Sequence, residues 1–255
     1  MTNQASPASV RIASGHWVGR KVGITGAGGA LGRALTKAFL AEGAWVIALS
    51  HSQRPQFQDP IHDAQEWIPW SCGEETELEP ILQNLDVLVL NHGINPGGDQ
   101  SPVTLSKVLE VNALSQWRLI QQFEKIADQE QNREPARELW VNTSEAEIQP
   151  ALSPGYELSK RLIGQLVSMR WSGRDSSQRK TLRLRKLVLG PFRSNLNPLG
   201  IMSSGFVSRQ VIWQAKLGIK LIIVSPNPLT YVVMPIVELA RKVYNLALTI
   251  NSPDR

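Results

Sequence analysis

Apolar residues fall along this chain in two alternating rhythms: short, nearly continuous runs, and longer stretches in which they recur every third or fourth position. The run KVGIT (21–25) precedes ALGRALTKAFLAEG (30–43), whose Ala34, Leu35, Ala38, Phe39 and Leu40 make one helical stripe. AWVIALS (44–50) reads as a buried strand, and EWIPW (66–70) as a weaker one because Pro69 lacks a ladder donor. ELEPILQNL predicts a short helix leading into DVLVLN (86–91), the clearest strand of the chain. A long helix is predicted from about Thr104 to Ala127, then the strand ELWVNTS (138–144) and a helix carrying Tyr156 and Lys160. LRLRKLVLG (182–190), a further helix and KLIIVS (220–225) complete the alternation.

Strands that are apolar throughout, separated by helices, predict an α/β protein with a doubly wound parallel sheet covered on both faces. Crossovers in such a sheet are right-handed, and ligands gather beyond the carboxyl ends of its strands. With no internal repeat and no convincing linker, residues 16–226 read as one domain. A flexible segment, 1–15, precedes it, and an amphipathic helical extension, 227–255, follows.

Composition narrows the class. The 255 residues, 42% hydrophobic and 19% charged, suit a globular domain of this size. The single Cys72 excludes a disulfide framework and suits a reducing, cytoplasmic setting. MTNQASPASVRIASG lacks the apolar core of a signal peptide, and no run of eighteen apolar residues predicts a spanning helix. Residues 1–130 carry 9 Lys/Arg and 14 Asp/Glu, whereas residues 131–255 carry 18 and 8. Most of the excess lies between Lys160 and Lys186 and is expected to be a solvated face, since no nucleic-acid motif accompanies it.

Two motifs carry chemistry. ITGAGGALGRAL joins the first strand to the first helix, where glycines permit a tight turn and the helix N-terminus favours a pyrophosphate. Tyr156 and Lys160, four residues apart, share a helix face. Such a pair gains meaning only beside a cofactor.

Together these residues resemble the short-chain dehydrogenase/reductase family over most of the chain, which implies a Rossmann-like sheet. The family's glycine motif maps onto Thr25, Gly26, Gly28, Gly29, Ala30, Leu31 and Gly32, with Ala30 in place of the middle glycine. Its Asn-Asn-Ala-Gly element resembles LNHG, where Asn91 and Gly93 match and His92 replaces Ala; His92 is read as ligand-facing or as packed. The resemblance implies Tyr156 as general acid/base and Lys160 as the cation that lowers its pKa and holds the nicotinamide ribose. It implies Ser144 as the hydroxyl that steadies the reacting oxygen, although rigid counting from Asn142 would put Glu145 there. It implies Asn112 as a relay from Lys160 through its backbone. Gly190, Pro191, Phe192 and Ser194 resemble the segment that holds the nicotinamide carboxamide.

At the end of the second strand, Ser50 and His51, with Arg54 near, stand where NAD-specific members have Asp. That points to NADP(H), with NAD(H) left open. Leu196, Leu199, Ile201, Met202 and Phe206 either line an apolar substrate mouth or pack a loop. A narrower resemblance, carried by LNHGIN, NTSEAE and NPLTY, is to the dehydrogenase part of bifunctional sterol desaturase/short-chain dehydrogenase proteins. Four histidines cannot furnish a desaturase's iron ligands, so no metal is expected. The expected function is hydroxyl/carbonyl oxidoreduction on a small hydrophobic substrate. The alternatives are a dinucleotide-binding sensor or scaffold with little or no turnover, or an epimerase or dehydratase using the same tyrosine. In the tail, Ile236, Val237, Leu239, Ala240, Val243 and Leu246 make a broad apolar face expected to pack on the protein, with a membrane surface or a second copy left open.

Overall fold

The computed structural model describes residues 15–51, 64–130, 133–173 and 178–250. Arg54 and nearly all of the predicted N-terminal segment lie outside them. The strands are β1 (Lys21–Thr25), β2 (Trp45–Ser50), β3 (Glu66–Pro69), β4 (Val87–Leu90), β5 (Arg137–Asn142), β6 (Leu182–Leu189) and β7 (Leu221–Val224). The helices are α1 (Ala30–Ala41), α2 (Glu79–Leu82), α3 (Pro102–Leu109), α4 (Ser115–Asp128), α5 (Pro154–Gly173), α6 (Gln178–Thr181), α7 (Ser204–Lys216) and α8 (Pro228–Ile250). The seven strands form one parallel sheet in the order β3-β2-β1-β4-β5-β6-β7. This is the doubly wound architecture expected from the sequence.

Period-two alternation sends neighbouring residues to opposite faces of the sheet. On β5, Trp140 joins the core under α1 and α7 with Trp17 and Phe39, while Leu139 and Val141 join the core under α4 and α5 with Phe123 and Ile163. The same alternation separates two adjacent cations on β6. Arg185 and Lys186 are both fully buried, contrary to the solvated face expected of this stretch. A charge inside a protein needs a partner, and each finds its own. Arg185 donates to Glu138 at 2.9 Å and lies over the Trp140 ring, while Glu138 also accepts from Arg20 at 2.8 Å. On the opposite face, the Lys186 ammonium donates to Glu147 (2.7 Å), Glu238 (2.8 Å), the Gly164 carbonyl (2.9 Å) and Ser168 (3.2 Å).

Glu238 and Arg241 reach this cluster from α8, and Arg241 donates to both carboxylates at 2.9 Å. The tail therefore packs in the reverse of the expected sense. Thr230, Met234 and Glu238 are buried, and Ile236, Leu239 and Val243 are exposed. The predicted long helix is also divided: a π-helical turn, Glu110–Leu114, separates α3 from α4 and places Asn112 inside the protein.

Candidate active site

Sheet order reverses between β1 and β4, and at the carboxyl ends of the strands lies a cleft of about 980 Å³. The glycine turn forms one end. Gly26 has φ +62°, and a Cβ there would lie 2.8 Å from the His92 Cα. At Gly32 a Cβ would lie 2.3 Å from the Gly26 carbonyl oxygen and 2.7 Å from the Ala27 Cα. The loop thus closes only with glycine at both places, and Gly28, Gly29, Ala30 and Leu31 are left to line the cleft at the start of α1. Gly29 caps α1 with no side-chain hydrogen bond. A tight amide-rich turn at a helix N-terminus fits the diphosphate of a dinucleotide.

Ser50 and His51 line the same end, as do Trp67 and Trp70. Sequence reasoning passed over Arg33, whose Nε donates to the Gly28 carbonyl at 2.9 Å and which also lines the cleft. Its signal was a cation directly following Gly32.

Thr25 is placed differently from the expectation. It is fully buried and works behind the cleft, where its hydroxyl accepts from the Asn91 amide at 2.9 Å and lies 2.8 Å from His92 Nδ1. His92 packs edge-on to Trp70, with centroids 5.3 Å apart. Burial, aided by the Lys160 cation, lowers its pKa to about 3. It is therefore neutral near pH 7 and does not exchange protons there. Asn91 accepts from the Asn142 amide at 2.9 Å, and Gly93 leaves room for the Asn112 carboxamide. Asn112 bonds both backbone groups of Ile94 and the Ser159 hydroxyl, tying the segment after β4 to α5. Its side chain acts here as a positioning group.

Tyr156, Lys160 and Ser144 converge on the cleft. Ser144 follows β5; its hydroxyl accepts from the Ala146 amide at 3.1 Å, donates to the Leu189 carbonyl at 3.4 Å, and lies near enough to Tyr156 to oppose the rise in its pKa. Glu145 also borders the cleft, but its carboxylate is engaged, accepting from Ser225 at 2.5 Å and from Thr230 at 3.1 Å. That separates the two residues between which sequence counting wavered. Ser144→Ala is expected to lower turnover about a hundredfold, the loss typical of one donor to a developing oxyanion. Glu145→Ala is expected to leave turnover within a few-fold and to lower thermal stability. Steady-state rates and melting curves on both variants check this ordering.

Lys160 lies beside the Tyr156 ring on the same helix. Its ammonium donates to the Asn142 carbonyl at 3.0 Å and lies 5.7 Å from the centroid of the Tyr156 ring. Burial raises the Tyr156 pKa, opposed by the Ser144 hydroxyl and reinforced by the Glu145 charge. The raised pKa leaves the phenol protonated near neutrality. Burial also lowers Lys160 to about 8, with Glu147 opposing. The ammonium is thus protonated at pH 7 and largely neutral by pH 9. If that cation holds the dinucleotide, affinity should fall about tenfold between these pH values, in step with the protonated fraction. Calorimetric titration checks this, and Lys160→Arg should flatten the profile.

Gly190, Pro191, Phe192 and Ser194 line the far side. At Gly190 a Cβ would lie 2.8 Å from both Pro226 Cδ and Ser225 Oγ, so this close approach needs glycine. The Ser194 hydroxyl accepts from the Asn197 amide at 3.2 Å and shapes a turn. Leu196, Leu199 and Ile201 line the cleft; Met202 and Phe206 do not.

Residues 22–146 match the NAD dependent epimerase/dehydratase family. A monoglucosyldiacylglycerol epimerase from Synechocystis sp. is 40% identical over 232 residues, which are 89% of this chain and 54% of that protein. The chain thus spans about half the length of that curated relative. Its name is an epimerase name, which replaces the narrower sterol desaturase/short-chain dehydrogenase resemblance drawn from short motifs. Among solved structures, a short chain dehydrogenase/reductase family protein has a TM-score of 0.69 at 17% identity, covering 82% of this chain and 96% of its own. A ribose-5-phosphate isomerase from Brucella melitensis 16M has a TM-score of 0.66 at 16% identity, covering 85% and 95%. BdcA in complex with NADPH has a TM-score of 0.65 at 15% identity, covering 82% and 94%. The fold is the Rossmann-like α/β architecture of solved short-chain dehydrogenases, and residues 22–146 are similar to the NAD dependent epimerase/dehydratase family.

Proposed function

We propose that the protein inverts a carbinol carbon on the sugar of a glycosylated diacylglycerol by oxidation and re-reduction, using NADP(H) in preference to NAD(H). The observation that carries this reading is the meeting of Tyr156 and Ser144 in the same cleft that ends on the glycine turn. The named activity of the 40% identical relative supports the choice of substrate. A bound dinucleotide would supply the hydride acceptor, and after it the hydride donor, for the two half-reactions.

The chain's residues handle the proton and the orientation. For the oxidising half-reaction Tyr156 Oη must first release its own proton; as a phenolate it takes the proton of the substrate hydroxyl, and as a phenol it returns it after inversion. Ser144 Oγ donates to the substrate oxygen while its charge changes. Gly28, Gly29 and the start of α1 would hold the diphosphate of a dinucleotide, Lys160 its ribose, and Phe192 and Ser194 its carboxamide, all of them residues that line the cleft. Preference for NADP(H) is supported by Ser50, which sets no carboxylate against a 2′-phosphate, and by the Arg33 cation beside Gly28.

Detergent-dispersed glucosyl diacylglycerol, incubated with a catalytic amount of dinucleotide, should yield a sugar epimer with no net dinucleotide reduction. NADPH should bind at least tenfold more tightly than NADH, a difference of about 1.4 kcal/mol. Stoichiometric reduction with a carbonyl product would instead establish the simpler hydroxyl/carbonyl oxidoreductase. The solved short-chain dehydrogenase neighbours favour that second reading.

A further inference from the structure

We propose that the outward face of α8 and the apolar rim of the cleft form one surface that seats on a lipid bilayer, so that the lipid substrate reaches Tyr156 from the membrane. The inference deepens the proposed function and rests on its lipid substrate. Helices at a protein surface ordinarily turn apolar residues inward and charges to water. In α8 the arrangement is reversed. Glu238 and Arg241 are directed into the Lys186 cluster, whereas Leu229, Val232, Ile236, Leu239, Val243 and Tyr244 are 60–64% exposed. Leu229, Val232, Ile236, Leu239 and Val243 follow one stripe at spacings of three and four, about 21 Å long at 1.5 Å per residue, with Tyr244 beside its end. Among the exposed side chains between Leu229 and Tyr244, Lys242 is the one charge and no carboxylate is present.

The same character continues at the substrate mouth. Leu152, Leu199 and Ile201 line the cleft and are 96%, 83% and 74% exposed. Gln149 joins the two regions. It lines the cleft, and its side chain bonds Thr230 and Asn227 at 3.1 Å each, holding the start of α8 beside the mouth. A helix lying in the interfacial plane buries its apolar face among the acyl chains, and the exposed Lys242 suits anionic headgroups. A bilayer accounts for both the stripe and the rim, whereas a second copy packed through α8 alone leaves the rim in water. No helix among the described residues is long and apolar enough to cross a membrane, so the contact is peripheral through this surface.

Flotation of the full chain with vesicles of phosphatidylcholine, with and without phosphatidylglycerol, tests the proposal. Wild type should float with both and more strongly with the anionic lipid. The triple variant Val232→Glu, Ile236→Glu, Val243→Glu should lose at least tenfold in partitioning, with its melting temperature and NADPH affinity unchanged. Wild type left in solution, or a triple variant that floats like wild type, would overturn the proposal. So would a solution dimer that the variant splits and that never binds vesicles. Wild type that floats yet fails to convert dispersed glucosyl diacylglycerol would sink the substrate reading alone. Conversion without flotation would sink the docking surface alone.

Discussion

Tyr156→Phe is expected to lower turnover by about two to four orders of magnitude, the usual worth of a positioned proton carrier, while dinucleotide affinity stays within twofold. The phenol lies in the cleft with Ser144, and burial keeps it protonated. Phenylalanine retains the ring beneath the Lys160 ammonium and removes only the oxygen that exchanges the proton. The split between rate and binding is therefore the informative result. Pre-steady-state mixing with saturating dinucleotide and glucosyl diacylglycerol would show the loss in the chemical step. A variant that turns over at near-normal rate would remove Tyr156 from the reaction.

The largest effect on stability is expected from Lys186→Met, which should cost about 3–5 kcal/mol, because taking one partner from a buried ion cluster leaves its counter-charges uncompensated. Lys186 is fully buried and donates to Glu147 and Glu238 at 2.7 and 2.8 Å. After the substitution Arg241 is the cation still paired with those two carboxylates, and it is 17% exposed. The contact between α5 and α8 passes through this cluster, so α8 should loosen first. Urea unfolding followed by tryptophan fluorescence measures the loss. Adding Glu147→Leu should recover part of it by removing a stranded charge. A loss below about 1 kcal/mol would show that the cluster contributes little to stability.

Much of the architecture was legible because it rests on local pattern. Runs such as DVLVLN leave no polar face and must be buried on both sides, and the glycine turn has to sit where β1 meets α1. The spacing of Tyr156 and Lys160 fixed their shared helix face before any coordinates. Other features depend on partners remote in sequence. Arg185 and Lys186 read as surface charges because Glu138, Glu147 and Glu238, which neutralise them, lie 47, 39 and 52 positions away. The stripe on α8 was visible, but its direction was not: periodicity defines a face without saying what covers it. Here the buried Lys186 ion on β6 and the Ser168 hydroxyl on α5 claimed the polar side. The π-helical turn at Asn112 carries no composition signal, since it follows from side-chain bonds to Ile94 and Ser159.

The measurement that tests the central claim most directly uses glucosyl diacylglycerol deuterated at the carbinol carbons of its sugar ring, turned over with unlabelled NADP⁺. Hydride chemistry in the cleft predicts deuterium on the reduced nicotinamide in quenched turnovers, an epimer that keeps its label when a single dinucleotide completes both half-reactions, and neither signal in Tyr156→Phe. Loss of the label to solvent, or epimer formed at full rate without dinucleotide, would contradict it.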